Sequence, residues 1–505
     1  MNFNAPDIDY AALSPVIALT GGICVVLLAG VFDRVRRAVP LLTLLTLGAA
    51  AGLFIWQWGE RKDLVAGALR LDELAVAVAL IAILAAAFCV LISVREPAVS
   101  QAGSGEYHVL LLGSVLGMTL LAQAQNLVSF FIAIETLSVP LYVLCATNLR
   151  RAESLESGLK YLIIGSMGSA TLLYGLAFIY GGSGSTDFTG IAAGIGKEGV
   201  LGDPLVLVGI ALAATGLAFK ISIAPFHQWT PDVYQGAPTP VTAFMAVATK
   251  AAAFAVFVRF FDVALAPEAG DWDVALAVLA TASIAVGNIG ALGQDSLKRL
   301  LGYSGIAQAG YMLGGLVVAS EAGINALVFY LAVYSLMNLA AFAVIVARER
   351  ETSFGDEIRA VEGLGSERPL LAWPLTISML ALAGLPGTAG FIGKLYLIEA
   401  LVDGDYTWLG VAIAVGTMIS LAYYLRVVAA IWMRPAEDTA VTAEVPAVAG
   451  ASPEADPIDA DAGGRWYLVG PALLAAAATV FFGVIPQPLV EWAEHAGAAL
   501  SQFLP

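Results

Sequence analysis

The sequence predicts an all-α polytopic membrane protein. Its 505 residues are 59% hydrophobic and only 13% charged, and the mean hydropathy is +0.84. The apolar residues fall in stretches of about 20, the length that an α-helix needs to cross a hydrocarbon core of about 30 Å. The formal net charge of −16 resides mainly in loops. Because the chain has no basic face, the composition excludes nucleic acid as an expected partner and indicates the lipid bilayer instead.

Fourteen apolar stretches divide the chain into five regions. Residues 1–104 hold three stretches, residues 105–262 and 272–432 hold five each, and residues 466–505 hold the last. Residues 433–465 are rich in Pro, Ala and acidic side chains, a composition that predicts a disordered cytoplasmic loop. The expected spans are 14–32, 39–58, 72–94, 107–125, 127–147, 157–182, 204–226, 239–262, 272–293, 300–320, 323–348, 369–402, 406–432 and 466–488.

Basic residues are distributed unevenly between the loops. The odd-numbered loops hold fourteen Lys and Arg residues and the even-numbered loops hold five, among them Arg259. Cytoplasmic loops carry the excess of positive charge, so the odd loops are expected in the cytoplasm and both termini on the opposite side. Arg426 is the one arginine expected deep inside a span.

Four lysines, Lys160, Lys220, Lys250 and Lys394, lie inside or at the mouth of apolar stretches. A lysine removed from water can lose its proton, whereas an arginine stays protonated. Ionisable groups in the bilayer are costly and usually mark an ion pathway or a proton relay. Lys250 has no acidic residue within one helical turn, which favours a relay position. Lys160 fits a relay equally well as an anchor at the membrane surface, or an i,i+4 pair with Glu156.

The seventh and twelfth stretches are interrupted, and each carries a lysine beside the interruption. Lys220 lies five residues before Pro225, and Lys394 lies eight residues after Pro386. Proline frees a backbone carbonyl, which a membrane tolerates only where protein or water satisfies it. The two breaks are five helices apart, as expected if stretches four to eight and nine to thirteen are structural repeats. Matched broken helices indicate a transport site, although Pro and Gly can also merely kink a helix.

Glu135 is the only acidic residue expected deep inside the first eleven stretches, with Ser138 and Tyr142 on the same helical face. A buried carboxylate needs a partner, so we expect a Glu135–Lys220 ion pair whose opening releases a proton. A static pair that locks the helices together is the alternative. His227, just after the first break, suits either a relay or the capping of freed carbonyls.

Polar side chains must connect the lysines of the second half, because Arg426 is the only further charge expected there. The candidates are Ser304, Gln308, Tyr330, Tyr334 and Asn338.

No cofactor or metal is expected in this chain. The loops are too short for a nucleotide-binding domain, and the GGSG at 181–184 does not open a dinucleotide fold. The three cysteines lie in apolar stretches without Cys or His at ligand spacing.

Three segments resemble the antiporter-like subunits of proton-pumping NADH-quinone oxidoreductase, respiratory complex I. They are KISIAPFHQWTPDVYQGAPTPVTAF, SLKRLLGYSGIAQAGYM and LAGLPGTAGFIGK, and Glu135 precedes them on the fifth span. The resemblance is strongest to subunit N of bacterial complexes and extends over most of the two five-helix regions. One position departs from the pattern, since many relatives have histidine where this chain has Gln308. Glutamine cannot carry a proton, so this side chain either orders water or the second half works differently.

The resemblance implies fourteen transmembrane helices with two inverted five-helix repeats, helices 4–8 and 9–13, of which helices 7 and 12 are discontinuous. It implies that Glu135, Lys220, Lys250 and Lys394 belong to a hydrated axis in the plane of a bacterial inner membrane. Quinone reduction elsewhere in the complex would drive proton translocation. Other subunits would use the NADH, FMN, iron–sulfur clusters and quinone, and M-like and K-like subunits would be the neighbours.

Two other functions fit the same residues. One is a membrane subunit of a multi-subunit sodium/proton antiporter, whose chains share these motifs. The other is a scaffold that fills the membrane arm without moving protons.

Overall fold

Twelve helices in the described part of the chain are long and apolar enough to cross a membrane. The computed structural model describes residues 8–195, 203–265, 269–435 and 466–500. Two further predicted spans, 300–320 and 369–402, correspond to one less hydrophobic helix and to a pair of shorter helices. The prediction of an all-α polytopic membrane protein is confirmed, and the count of fourteen spans stays a prediction. The predicted cytoplasmic loop lies, from residue 436 onward, outside the described residues.

The N-terminal region consists of three long helices and a small hairpin. The hairpin pairs its strands antiparallel, with Asp63 opposite Arg70. Directly after it, the Asp72 side chain caps the third long helix by accepting a hydrogen bond from the Ala75 backbone N–H. The elements are α1 (Ser14–Val31), α2 (Asp33–Arg36), α3 (Val39–Trp56), β1 (Lys62–Leu64), β2 (Leu69–Leu71) and α4 (Glu73–Ile92).

The next region contains the first interrupted span. Its last long helix, Thr239–Ala264, is continuous but contains two π-helical segments, Met245–Thr249 and Phe260–Ala264. The α-helices are α5 (Pro97–Ala102), α6 (Ser104–Gln123), α7 (Leu127–Cys145), α8 (Ala152–Ser183), α9 (Phe188–Ile195), α10 (Pro204–Ile221), α11 (Trp229–Gly236), α12 (Thr239–Phe244) and α13 (Lys250–Arg259).

The following region contains the second interrupted span and a short 3₁₀ turn at Ile358–Val361. Its helices, together with the two C-terminal ones, are α14 (Ala269–Leu292), α15 (Leu297–Val317), α16 (Glu321–Glu349), α17 (Leu364–Glu367), α18 (Pro369–Leu382), α19 (Ala389–Asp403), α20 (Thr407–Met433), α21 (Trp466–Val484) and α22 (Gln487–Ala498).

Burial divides the helices into a central and a peripheral set. The Thr239–Ala264 helix is buried along its whole length, and α16 is buried along most of it. Helices α1, α3 and α8 instead leave most of their apolar side chains on the outer surface, as Leu28 and Met167 do. An apolar outer surface suits hydrocarbon, whereas a charge on the central helix must be satisfied by protein. Lys250 lies on this central helix, so its charge is surrounded by protein and not by lipid.

Two charged residues are placed differently from the prediction. Arg259, expected in a loop, is fully buried in α13, where it pairs with Asp72 (Nη2 to Oδ1, 2.6 Å) and donates from Nε to the Ala122 carbonyl at 2.7 Å. Asp262, expected at the very end of the eighth span, is also buried. That Glu135 is the only acidic residue deep inside the first eleven spans stays a prediction. The helix extends to Ala264 and packs between its neighbours. Arg259 and Asp262, which the length of the apolar stretch placed near the membrane surface, are therefore buried in the protein.

Candidate functional site

The first interrupted span places Lys220 at the end of a helix. Helix α10 stops at Ile221, Ser222 adopts a left-handed conformation (φ 64°), and α11 begins at Trp229. Lys220 is buried, and its Nζ has no hydrogen-bond partner among the described residues. Three aromatic rings lie close to it, at 5.5–5.7 Å from Nζ to the ring centroids. The break thus brings an amine into the protein interior without a backbone acceptor.

The expected partner of this amine, Glu135, lies on α7 and is half-buried. Its Oε1 is buried without a hydrogen-bond partner, and no ion pair within 4.0 Å joins the two residues in the described part of the chain. The expected Glu135–Lys220 pair is therefore open in this structure, and its closing remains a prediction.

Lys250 occupies the middle of the central helix. It directly follows the π-helical segment Met245–Thr249, and its Nζ donates to the Gly305 carbonyl of α15 at 2.6 Å. A Cβ at Gly305 would lie 2.9 Å from this Nζ and 3.0 Å from the Tyr334 hydroxyl. A single-turn π segment commonly marks a functional position in a helix. Here the absence of a side chain at Gly305 lets the lysine reach the backbone of the neighbouring helix.

In the second interrupted span, Lys394 donates to a backbone carbonyl, as Lys250 does. Helix α18 ends at Leu382, α19 starts at Ala389, and the Lys394 Nζ donates to the Leu382 carbonyl at 2.8 Å. The last carbonyls of a helix have no partner within it, so the break supplies this acceptor. Lys394 is buried, and its Nζ lies 5.0 Å from the centroid of the Tyr311 ring.

Gln308 connects Lys394 to a set of hydroxyl groups. Its Nε2 donates to the same Leu382 carbonyl at 3.3 Å and to the Tyr424 hydroxyl at 3.4 Å, and its Oε1 accepts from the Tyr330 hydroxyl at 2.5 Å. The Tyr424 hydroxyl is hydrogen-bonded in turn to the Ser304 hydroxyl. Ser304 precedes Gly305, the acceptor for Lys250. A chain of polar groups therefore runs from the surroundings of Lys250 to Lys394.

The other two connecting candidates lie outside this chain of hydrogen bonds. The Tyr334 hydroxyl is buried without a partner among the described residues, near Lys250. Asn338 donates from Nδ2 to the Tyr334 carbonyl within its own helix, at 2.9 Å. Sequence reasoning missed Tyr424, since a tyrosine in an apolar helix carries no signal of which neighbour its hydroxyl meets.

Lys160 and His227 lie toward the edge of the first half. Lys160 is 39% exposed and forms the i,i+4 ion pair with Glu156 at 2.7 Å, together with a pair to Asp232 at 2.9 Å. Arg299 of α15 also binds Asp232, at 2.6 Å. His227 is half-buried in the segment between α10 and α11, and its Nδ1 has no partner in the described chain. Neither side chain is joined by a hydrogen bond to Lys220.

A further buried lysine was not singled out from the sequence. Lys298, counted as a loop residue, donates to the Ala237 carbonyl at 2.9 Å and to the Thr239 hydroxyl at 3.0 Å. It also lies 3.6 Å from the Glu349 carboxylate. Lys298 lies at the start of α15 and is followed by Arg299, and two adjacent basic residues at a helix end are ordinarily expected at the surface.

Metal binding has no candidate group in the described ranges, where no three His, Cys, Asp or Glu side chains converge. Cys89 and Cys145 are buried, whereas Cys24 is exposed on α1.

Comparison with known proteins places this geometry in a family. Residues 124–420 match the family described as NADH:quinone oxidoreductase/Mrp antiporter, TM. NADH-quinone oxidoreductase subunit N 1 of Herpetosiphon aurantiacus is 40% identical over 458 residues, which cover 90% of this chain and 92% of that protein. A chain of respiratory complex I from Thermus thermophilus is similar in structure, with a TM-score of 0.77 and 34% identity over 94% of this chain and 98% of that one.

The same fold occurs outside complex I. A chain of the Mrp complex from Dietzia sp. has a TM-score of 0.79 at 23% identity, covering 97% of both chains. At that identity the likeness concerns the fold alone. The chain belongs to the NADH:quinone oxidoreductase/Mrp antiporter family of membrane subunits, and within it to the NADH-quinone oxidoreductase subunit N proteins.

Proposed function

We propose that this chain is a proton-translocating membrane subunit of an NADH-quinone oxidoreductase, driven by quinone reduction elsewhere in the complex. The observation that carries the proposal is a row of hydrogen-bonded polar groups in the apolar interior, which runs from Ser304, next to the Lys250 acceptor Gly305, to the Leu382 carbonyl that Gln308 shares with Lys394. An apolar interior excludes such groups unless they are used or paired, because each unpaired polar atom costs free energy. The family of the chain supports the same activity.

In the proposed relay, Glu135, Lys220, Lys250 and Lys394 each hold and release a proton. The two backbone carbonyls keep the amines of Lys250 and Lys394 in place, and the hydroxyls near Gln308 carry protons between them with the help of water. Gln308 itself orients this chain, since an amide does not titrate. Lys160 and His227 would connect the relay to the membrane surface.

The test replaces Lys250 by arginine. A guanidinium keeps its proton in any protein environment, so Lys250→Arg should assemble, reduce quinone and lose the protons that this chain moves. Proton uptake and NADH oxidation are measured together in membrane vesicles, and the ratio of protons to electrons is compared. Lys62→Arg is the matched control, because Lys62 is 43% exposed and pairs with the exposed carboxylates of Asp9 and Glu60. A wild-type ratio in the assembled Lys250→Arg complex would contradict the proposal.

The scaffold alternative is tested by Lys220→Ala and Lys394→Ala. A scaffold predicts an unchanged proton-to-electron ratio in both variants, whereas the relay predicts a decrease. Both substitutions shorten a buried side chain and can destabilise the subunit, so the amount of assembled complex must be measured first.

The finer architecture belongs to the same proposal. We infer fourteen transmembrane helices in two inverted repeats, spans 4–8 and 9–13, with spans 7 and 12 discontinuous. Both termini would face the periplasm of a bacterial inner membrane, with M-like and K-like subunits as neighbours. NADH, FMN, the iron–sulfur clusters and quinone would be bound by other subunits.

The membrane subunit of a sodium/proton antiporter is the second candidate, because the family that matches residues 124–420 is described as including the Mrp antiporter. Purification of the native complex distinguishes the two. Flavin- and iron–sulfur-containing subunits that copurify with this chain support the oxidoreductase. Copurification of small membrane proteins alone supports the antiporter.

A further inference from the structure

The amine of Lys220 is held differently from the other two buried amines. Lys250 and Lys394 each donate to a backbone carbonyl, at 2.6 and 2.8 Å. Lys220 has no such acceptor among the described residues. Its Nζ instead lies 5.7 Å from the centroid of the Tyr142 ring, 5.5 Å from that of Tyr161 and 5.7 Å from that of Phe219. Three rings on three different helices thus surround one ammonium group.

The packing of α8 provides the space for these rings. Tyr161, Gly165 and Gly168 follow one face of this helix. A Cβ at Gly165 would lie 2.4 Å from the Tyr142 hydroxyl oxygen, and a Cβ at Gly168 would lie 2.8 Å from Cδ1 of Phe219. Any larger residue at either position would push a ring away. Helix α8 therefore contributes the Tyr161 ring, and its two glycines leave room for the rings of Tyr142 and Phe219.

Trp229 supports the same group from the far side of the break. Its ring stacks on Tyr161, with 4.7 Å between centroids and an interplanar angle of 11°, and lies 5.2 Å from the Phe219 ring. Its indole N–H donates to the Phe219 carbonyl at 3.2 Å. The rings of Tyr142 and Tyr161 meet edge to face at 4.8 Å. These contacts hold the rings rigidly, on both sides of the interruption that carries Lys220.

Aromatic rings attract cations through the negative potential of their faces, and the attraction is largest where water is excluded. A ring does so without accepting a proton, whereas a carboxylate both attracts a cation and can take its proton. An ammonium among rings therefore keeps its charge while it is separated from its carboxylate.

We propose that Tyr142, Tyr161 and Phe219 form an aromatic cage that holds the protonated amine of Lys220 whenever its ion pair with Glu135 is open. The inference rests on the proposed function, since it assigns the cage a step in that relay. The three rings are positioning residues: they do not exchange the proton but provide the second place in which the charged lysine can wait. Without them, opening the ion pair would leave a bare charge in the membrane.

The experiment varies the electrostatics of one ring at constant shape. In the intact complex, Tyr161 is replaced by phenylalanine and then by phenylalanines with one, two and three ring fluorines, introduced at a stop codon. Fluorine withdraws electrons and weakens cation binding stepwise while the ring keeps its packing. The rate of proton translocation should fall with each fluorine, by about three- to tenfold over the series, as expected for a desolvated cation–π contact.

Phe130 provides the matched control. Its ring is fully buried and packs against Phe188 and Phe260 at 6.5 and 6.1 Å, with no lysine over it in the described part of the chain. The same fluorinated series at Phe130 should leave the rate unchanged, and the amount of assembled complex is measured for every variant.

The outcomes separate the cage from the relay. A stepwise loss at Tyr161 with a flat series at Phe130 supports the cage. Equal losses at both positions, or a flat series at Tyr161 while Lys220→Ala abolishes translocation, overturn the cage and leave the proposed function standing. Normal translocation in an assembled Lys220→Ala complex overturns both.

Discussion

Single residues decide how each buried charge is tolerated. Arg259 has a full ion pair, Lys250 and Lys394 have carbonyl acceptors, and Lys220 has aromatic rings. Removing one partner of a buried ion pair is expensive, so Arg259 and Asp72 stabilise the fold only as a pair. A lysine held by a neutral carbonyl or a ring can lose its proton without leaving an opposite charge behind. The type of partner therefore separates structural charges from those suited to a relay.

Gln308 offers a test at this scale. Gln308→Glu keeps the shape of the side chain but removes the N–H groups that donate to the Leu382 carbonyl and the Tyr424 hydroxyl. The new carboxylate would lie beside Lys394, which shares the Leu382 acceptor. Its negative charge would stabilise the protonated form of Lys394 and so slow the release of the lysine proton. We expect proton translocation to fall by about tenfold, the effect of one additional charge interaction of roughly 1.4 kcal/mol.

The control for this change is Gln308→His. It introduces no negative charge, and its imidazole can still donate a hydrogen bond. The histidine variant should translocate protons at a rate near wild type. A glutamate variant that translocates as well as the glutamine form would show that Gln308 does not adjoin a working relay.

At the scale of elements, helices approach each other where a side chain is missing. Gly117 of α6 faces α7, and a Cβ there would lie 2.2 Å from the Leu137 backbone nitrogen and 2.7 Å from its Cα. Because backbone cannot move aside as a flexible side chain does, this contact determines how closely α7, and Glu135 on it, packs. Close approach through small residues is the usual way in which helices associate in a membrane.

Gly117→Ala should therefore destabilise the protein by about 1–3 kcal/mol, the usual cost of overpacking. Gly113→Ala on the same helix is the control, because its Cβ would meet only Cγ of Pro140 at 3.6 Å, an ordinary contact. Thermal unfolding of the purified complex, followed through loss of this subunit, measures both. Equal melting temperatures for the two variants would mean that α6 and α7 can move apart at this contact without a loss of stability.

At the scale of the whole molecule, the start of α15 links the two five-helix regions. Arg299 binds Asp232 of α11, and Lys298 binds the Ala237 carbonyl and Thr239 at the start of the central helix. The segment that follows the first break is thus attached to a helix of the second region. A shift of the first interrupted span would therefore displace α15, the helix that provides the carbonyl acceptor for Lys250.

Orientation in the membrane is also a property of the whole chain. The burial of Arg259 removes one of the five basic residues from the even-numbered loops, and the burial of Lys298 removes one of the fourteen from the odd-numbered loops, so the asymmetry behind the proposed orientation persists. Arg359, exposed in the eleventh loop, should face the cytoplasm, and Asp403, exposed at the end of α19, should face the periplasm.

Single cysteines at these two positions test the orientation. Arg359→Cys and Asp403→Cys are made in a Cys24→Ser background, because Cys24 is the exposed native thiol. A membrane-impermeant maleimide added to intact spheroplasts should label only the cysteine at 403, and in inside-out vesicles only the one at 359. The opposite pattern would reverse the proposed orientation.

Residue order and composition predict the class of the protein, the breaks in two helices and the four lysines proposed for the relay. The length of an apolar stretch, a proline within it and a charge within it are local properties of the sequence. Unsatisfied polar or charged groups cost so much free energy in hydrocarbon that few other interpretations of these patterns remain. Only the tertiary structure decided what each charge touches. The pairing of Arg259 with Asp72, the hydroxyl of Tyr424 beside Gln308 and the rings around Lys220 join residues far apart in the chain. Such contacts depend on how helices pack against each other, which local composition does not encode.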